Sequence, residues 1–188
     1  MKTTYEKKRM KRTKPSKTIL TNDPSITAWG WAVLDLQGNV LATGCIKTES
    51  QAKKLRIRKG DDFVRRVGEI DEQLLSIIRR WNVCYLLSEL PHGSQNANAA
   101  KMIGAVAAIM QTLSIVLEIG VEWYSENDAK KALFHKKSVS KREMINKIQT
   151  IYRTNWYIGI KYKDEAVADA LAIHHAAMKQ SSVLKMLK

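Results

Sequence analysis

The chain has 188 residues, a net charge of +14 and a pI near 9.8, enough length for one domain with a real core and a charge balance suited to a polyanionic partner. Nucleic acid is the first candidate partner and an anionic membrane surface the second. Cys45 and Cys84 each sit in an apolar run with no CxxC or Cys/His cluster, which excludes a thiolate zinc site and predicts two buried thiols in a reducing compartment.

Residues 1–17 carry eight Lys or Arg against Glu6 alone, with no apolar periodicity, and read as a disordered basic arm. A mitochondrial presequence would be richer in Arg and Ser and would show an apolar face, and no secretory apolar segment precedes the domain. Residues 18–21 form a short β-prone run ending at Asn22-Asp23-Pro24. Residues 29–36 form a second run, Gln37-Gly38-Asn39 supplies a turn, and residues 40–46 form a third strand, giving a strand, a loop and a β-hairpin.

From Gly60 the period changes, because Phe63, Val67, Ile70, Leu74, Ile77 and Trp81 recur at spacings of four and three, the mark of one helix face. Residues 83–88 are an apolar strand ending at Glu89-Leu90-Pro91, and residues 97–118 read as a long, nearly all-apolar helix. That helix approaches the ~20 residues of a membrane span. With Gln111, Thr112, Ser114 and Glu118 in it and no second such segment, a place in the core or in a subunit interface fits better.

Residues 121–124 are a short strand, 127–133 a short helix, and Ser140-Lys-Arg-Glu143 a capping box that opens an amphipathic helix. A last helix spans about residues 164–178, and residues 181–188 are left as a short basic tail. The order is an α/β layer architecture with a mixed sheet, one domain over residues 18–180.

Three acids stand at the ends of apolar elements or inside them: Asp23, Glu89, and Asp169 within Ala166-Val-Ala-Asp-Ala-Leu-Ala-Ile173. An unpaired buried carboxylate costs several kcal/mol or takes up a proton, so a cation is expected, either a divalent metal or an Arg or Lys. Glu165 and Asp169 share a helix face, where like charges repel unless a cation joins them. Asp164 and Glu165 also suit a helix N-terminus through its dipole, which leaves Asp169 unexplained.

The chain resembles RuvC-type Holliday-junction resolvases of the RNase H-like superfamily. The resemblance lies in Ile19-Leu-Thr-Asn-Asp-Pro-Ser-Ile-Thr-Ala-Trp-Gly-Trp-Ala-Val33 with Gly44-Cys-Ile-Lys-Thr48, in Glu89 with Gly93-Ser-Gln-Asn-Ala-Asn-Ala-Ala100 and Gly104, and in Ala168-Asp-Ala-Leu-Ala-Ile173, in the family's order. It implies a mixed five-stranded sheet flanked by helices, with Asp23, Glu89 and Asp169 as metal ligands. The family's fourth ligand falls at position 166, which is Ala here, and this leaves Glu165, or Asp164 in reserve. Lys130 and Lys141 match two basic positions of the family, and both would act at the scissile strand. His92, Ser94, Gln95, Asn96, Lys136 and Lys137 would add DNA contacts. His135, His174 and His175 receive no role, and one of the last two must point away from the core.

The implied activity is metal-dependent cleavage of branched DNA, leaving 5′-phosphate and 3′-hydroxyl ends, in recombination and repair. Two ions per site are expected, Mg²⁺ with Mn²⁺ as a substitute. A homodimer through helix 97–118 would place two sites on a four-way junction, in a cytoplasmic setting. A broader flap or fork nuclease of the same fold is the alternative. A non-cleaving branched-DNA binder is the alternative of another class, and it gains nothing from carboxylates facing phosphates.

Overall fold

Alternating apolar residues in the strands and three-to-four spacing in the helices assemble, in a computed structural model that describes residues 16–187 except 135 and 137, into a sheet layered between helices. The elements in chain order are β1 (Thr18–Asp23), β2 (Ala28–Asp35), β3 (Val40–Lys47), α1 (Ala52–Leu55), α2 (Lys59–Arg80), β4 (Val83–Glu89), α3 (Ala97–Leu117), β5 (Gly120–Tyr124), α4 (Glu126–Phe134), α5 (Lys141–Ile151), α6 (Lys161–Gln180) and α7 (Ser182–Leu187). The five strands lie in the order β3-β2-β1-β4-β5. The β1-β2-β3 meander is antiparallel, whereas β4 and β5 run parallel to β1. The C-terminal ends of β1, β4 and β5 therefore share one edge of the sheet, the edge where open α/β sheets place their ligands.

Period two divides the side chains of β1 between the faces. Leu20 joins Trp29, Val33, Leu86, Ile70, Leu74 and Met110 beneath α2 and α3, while Ile19 joins Leu34, Leu87, Ile148, Leu171 and Ile173 beneath α4, α5 and α6. The β2–β3 turn is closed by Asp35, whose N–H donates to the Asn39 carbonyl at 3.0 Å, and by Gly38 at φ 92°. A side chain at residue 38 would be strained there, which accounts for the glycine.

Several boundaries differ from the sequence reading. Helix α6 begins at Lys161 rather than near residue 164 because its N-cap, Ile160, offers no side-chain acceptor to mark the start. The expected tail after residue 180 instead forms α7. The Ser181 hydroxyl accepts the Leu184 N–H at 3.0 Å and donates to Glu122 at 2.9 Å, and Leu184 is buried. Helix α1, a single turn, carried no apolar signal, since none of its residues is buried. Ser140 and Glu143 form the predicted capping box of α5. Cys45 and Cys84 are half-buried rather than buried. The expected arm, residues 1–17, lies outside the described residues apart from exposed Ser16 and Lys17.

Helix α3 is long and apolar enough by length and composition to cross a membrane, yet it packs on the sheet through Val106, Ile109, Met110 and Leu113. Ile115 and Val116 remain exposed. An open groove of about 540 Å³ runs between α2 and α3, lined by Phe63, Val64, Val67, Leu75, Ala108 and Val116 among others.

Candidate active site

The same alternation that buries Ile19 and Thr21 under α6 aims Asp23 at that helix from the end of β1, and Glu89 follows Leu87 in the same way at the end of β4. The neighbouring Asn22 points to the opposite face. There it accepts the Trp29 indole N–H at 3.0 Å and donates to the Leu87 carbonyl at 3.1 Å, tying the ends of β1, β2 and β4 together.

Helix α6 brings the third acid across the sheet. Its approach is permitted by Gly30, where an added Cβ would lie 2.1 Å from the Ala166 carbonyl oxygen. One turn on, the Ala170 carbonyl accepts the Thr21 hydroxyl at 2.7 Å. Asp169 sits between these two contacts and faces the Asp23 end of β1, whose register partner is Gly30.

The electrostatics are those of carboxylates near enough to repel one another. Burial, then Asp169 and Glu89, hold the Asp23 carboxyl well above the usual range. Burial and Asp169 push Glu89 up to about 7. Burial also raises Asp169, against the opposing pull of Lys141. Lys141 forms an ion pair with Asp169, and this attraction, with that of Asp23, outweighs the burial that disfavours its charge. Lys130 pairs with Glu126 at 2.6 Å and also lowers Glu89, so both lysines expected at the scissile strand lie among the acids.

Glu126 was not singled out in the sequence. It opens α4 directly after β5, and its charge raises Asp23, Glu89 and Asp169 alike. The available signal was positional: an acid just past the end of a third parallel strand. Glu165 is half-buried and acts on Asp169. Asp164, the reserve ligand, is buried at the foot of α6, where it accepts the Ile158 N–H at 2.9 Å and secures the loop before the helix.

The remaining expected contacts fall in the segment between β4 and α3 and in the one between α4 and α5. His92 is exposed, and its charge lowers Glu126. Ser94 accepts the Asn96 N–H at 3.1 Å, and Gln95 is exposed. Asn96 is the N-cap of α3, accepting the N–H groups of Asn98 and Ala99, so its side-chain oxygen is already engaged. Lys136 is exposed and pairs with Glu143 at 3.1 Å, while Lys137 and His135 lie outside the described residues. His174 is buried against the Tyr152 hydroxyl at 2.7 Å, and His175 is half-buried.

Among the described residues, no three His, Cys, Asp or Glu side chains close around a single point as ion ligands do. The Lys141 ammonium lies against Asp169 instead. The donor set nevertheless suits a hard divalent cation. It is all carboxylate oxygen, and the mutual repulsion that raises Asp23 and Glu89 is what a cation between them relieves.

No protein-family model matches the chain. Curated relatives include the crossover junction endodeoxyribonuclease RuvC of Orientia tsutsugamushi strain Ikeda, 28% identical over 163 residues, which covers 85% of this chain and 93% of the relative. RuvC of Shewanella woodyi is 26% identical over 168 residues, covering 88% and 90% of the two chains. Among solved structures, T. thermophilus RuvC in complex with Holliday junction substrate aligns with TM-score 0.67 and 22% identity, over 86% of this chain and 92% of that one. The yeast mitochondrial Holliday junction resolvase Ydc2 aligns with TM-score 0.61 and 12% identity, over 92% and 82%. Along most of both lengths the chain is thus similar to RuvC endodeoxyribonucleases, and it shares the RNase H-like fold of the solved resolvases, with its acids at the C-terminal ends of parallel strands.

Proposed function

We propose that the protein is a divalent-metal-dependent endonuclease that resolves four-way DNA junctions, leaving 5′-phosphate and 3′-hydroxyl ends. The observation that carries the reading is the convergence of Asp23, Glu89 and Asp169, with Lys130 and Lys141 among them, on one edge of the sheet of a strongly basic chain.

In this reading Asp23, Glu89 and Asp169 would hold the cation centre, with two Mg²⁺ ions per site expected. Such ions polarise a phosphoryl oxygen and make an attacking water more acidic. The protein's own groups do the positioning. Burial keeps the carboxylates from ordinary hydration and gives them a strong demand for a cation. Lys141, paired with Asp169, would be available to a phosphate oxygen where a cation takes over that carboxylate. Lys136 and the exposed loop of His92, Ser94 and Gln95 would flank the path of the DNA, and Lys137, outside the described residues, is the further contact expected from the sequence.

Incubation with synthetic four-way, three-way and linear duplexes tests the reading. Symmetric nicks with 5′-phosphate ends on the four-way junction, present with Mg²⁺ and absent with chelator, are expected. Binding without cleavage, or cleavage indifferent to chelator, would sink it.

Two sites are needed to cut both strands of a junction, and a homodimer through α3 supplies them. The supporting observation is the apolar α2–α3 groove with Val64, Ile115 and Val116 exposed beside it. Light scattering at micromolar concentration should give twice the 21.4 kDa chain mass. Val64→Glu, which places a charge in that groove, should shift the protein to monomer, and a wild type that stays monomeric would refute the dimer.

A further inference from the structure

We propose, building on the nuclease reading above, that Glu126 is the fourth carboxylate of the cation centre and that Lys130 is its exchangeable partner.

The placement of Glu126 is fixed by its surroundings. Tyr124 is the register partner of Glu89, and its carbonyl accepts the Leu90 N–H at 2.8 Å, so the ends of β4 and β5 are joined at the acid edge. Ser125 then starts α4. Its hydroxyl accepts the Asp128 N–H at 3.1 Å, and Asp128 accepts the Ser125 N–H at 2.9 Å, the reciprocal arrangement that locks a helix start. Glu126 is thus the first residue of a rigidly begun helix, two positions beyond the partner of Glu89.

The competing donors are less well placed. Asp164 is engaged by the Ile158 N–H, and Ala166, packed against Gly30, has no donor atom in its side chain. Glu165 influences Asp169 less than Glu126 does. Glu126 follows directly on the β5 end that is joined to Glu89, and its charge is felt at Asp23 and Lys141 as well.

The pairing with Lys130 gives the carboxylate a reason to be ionised and waiting. The two are one helical turn apart at 2.6 Å, and the lysine side chain is only 17% exposed. When a divalent ion competes for Glu126, the carboxylate exchanges an ammonium partner for the ion, and Lys130 is freed toward the phosphate. Cation binding and phosphate binding are thereby linked through one side chain.

The test uses the full chain and Mn²⁺ alone, with free Mn²⁺ read by electron paramagnetic resonance, so that no cleavage is needed. Glu126→Gln is isosteric at a half-buried position, and melting curves verify that it is folded. It should weaken Mn²⁺ binding by about tenfold or more, the scale of losing a group from a metal centre. The loss should persist at high salt, where long-range charge effects are screened. Glu165→Gln should change affinity by less than about threefold, the residue of such screened effects. Wild-type affinity in Glu126→Gln, or an equal loss in Glu165→Gln, overturns the inference. If Asp23→Asn also leaves Mn²⁺ affinity unchanged, the cation centre itself is refuted rather than the part given to Glu126.

Discussion

Glu89→Gln is expected to abolish cleavage and, in the presence of chelator, to make the protein more stable. In the fold Glu89 titrates at about 7 against an ordinary value of 4.5, because burial and Asp169 disfavour its charge. The folded chain therefore holds a proton that the unfolded chain has released. Stability falls as pH rises from about 4.5 to about 7, and the loss is complete above that range. The gap corresponds to about 3 kcal/mol at pH 8, which the neutral amide recovers. For a chain of this length the melting temperature should rise by about 5 to 10 °C in chelator.

The same substitution removes a carboxylate from the centre, and a thousandfold drop in cleavage, about 4 kcal/mol on the barrier, is expected. Adding Mg²⁺ should stabilise the wild type far more than the variant. A variant that melts no higher than wild type in chelator would refute the electrostatic account, and one that cuts junctions at the wild-type rate would refute the catalytic one.

Gly30→Ala should have the opposite effect on stability and should also lower activity. The new methyl would meet backbone at 2.1 and 2.4 Å, the carbonyl oxygen and carbon of Ala166, and neither can rotate away as a side-chain tip would. Either β2 or α6 must move. Overpacking of this kind costs about 1 to 3 kcal/mol and often more where backbone is involved, so the melting temperature should fall by about 10 °C. Because Asp169 rides on the same helix turn, a lifted α6 also withdraws it from Asp23, and cleavage should fall even below the melting transition. A well-folded, fully active Gly30→Ala protein would show that close approach of α6 is not what sets the acid geometry.

The sequence showed the strands and most helices because their periodicity is strong: the stripe from Phe63 to Trp81, the alternation in residues 18–47 and the Ser140–Glu143 box are all local signals. Three of the acids were legible for a related reason, since Asp23, Glu89 and Asp169 stand out against apolar neighbours. Glu126 does not. It is flanked by Ser125, Asn127 and Asp128, ordinary residues for a helix start, and only the parallel alignment of β5 with β4 brings it to the others. Asp164 looked like a ligand or a dipole partner, whereas its bond to Ile158 is a contact with a loop that has no pattern of its own. Helix α7 was missed because Ser182–Leu187 is too short for periodicity to register, and its place depends on Glu122, far away in the chain.

Helix α6 contributes Asp169 and also fills the middle of one core layer with Leu171 and Ile173, while Asp23 comes from the first strand. A molecule without α6, whether still emerging from the ribosome or clipped by a protease, lacks both the acid and the packing that would hold the other acids in place. The proposed ability to break DNA therefore depends on α6 being made and docked.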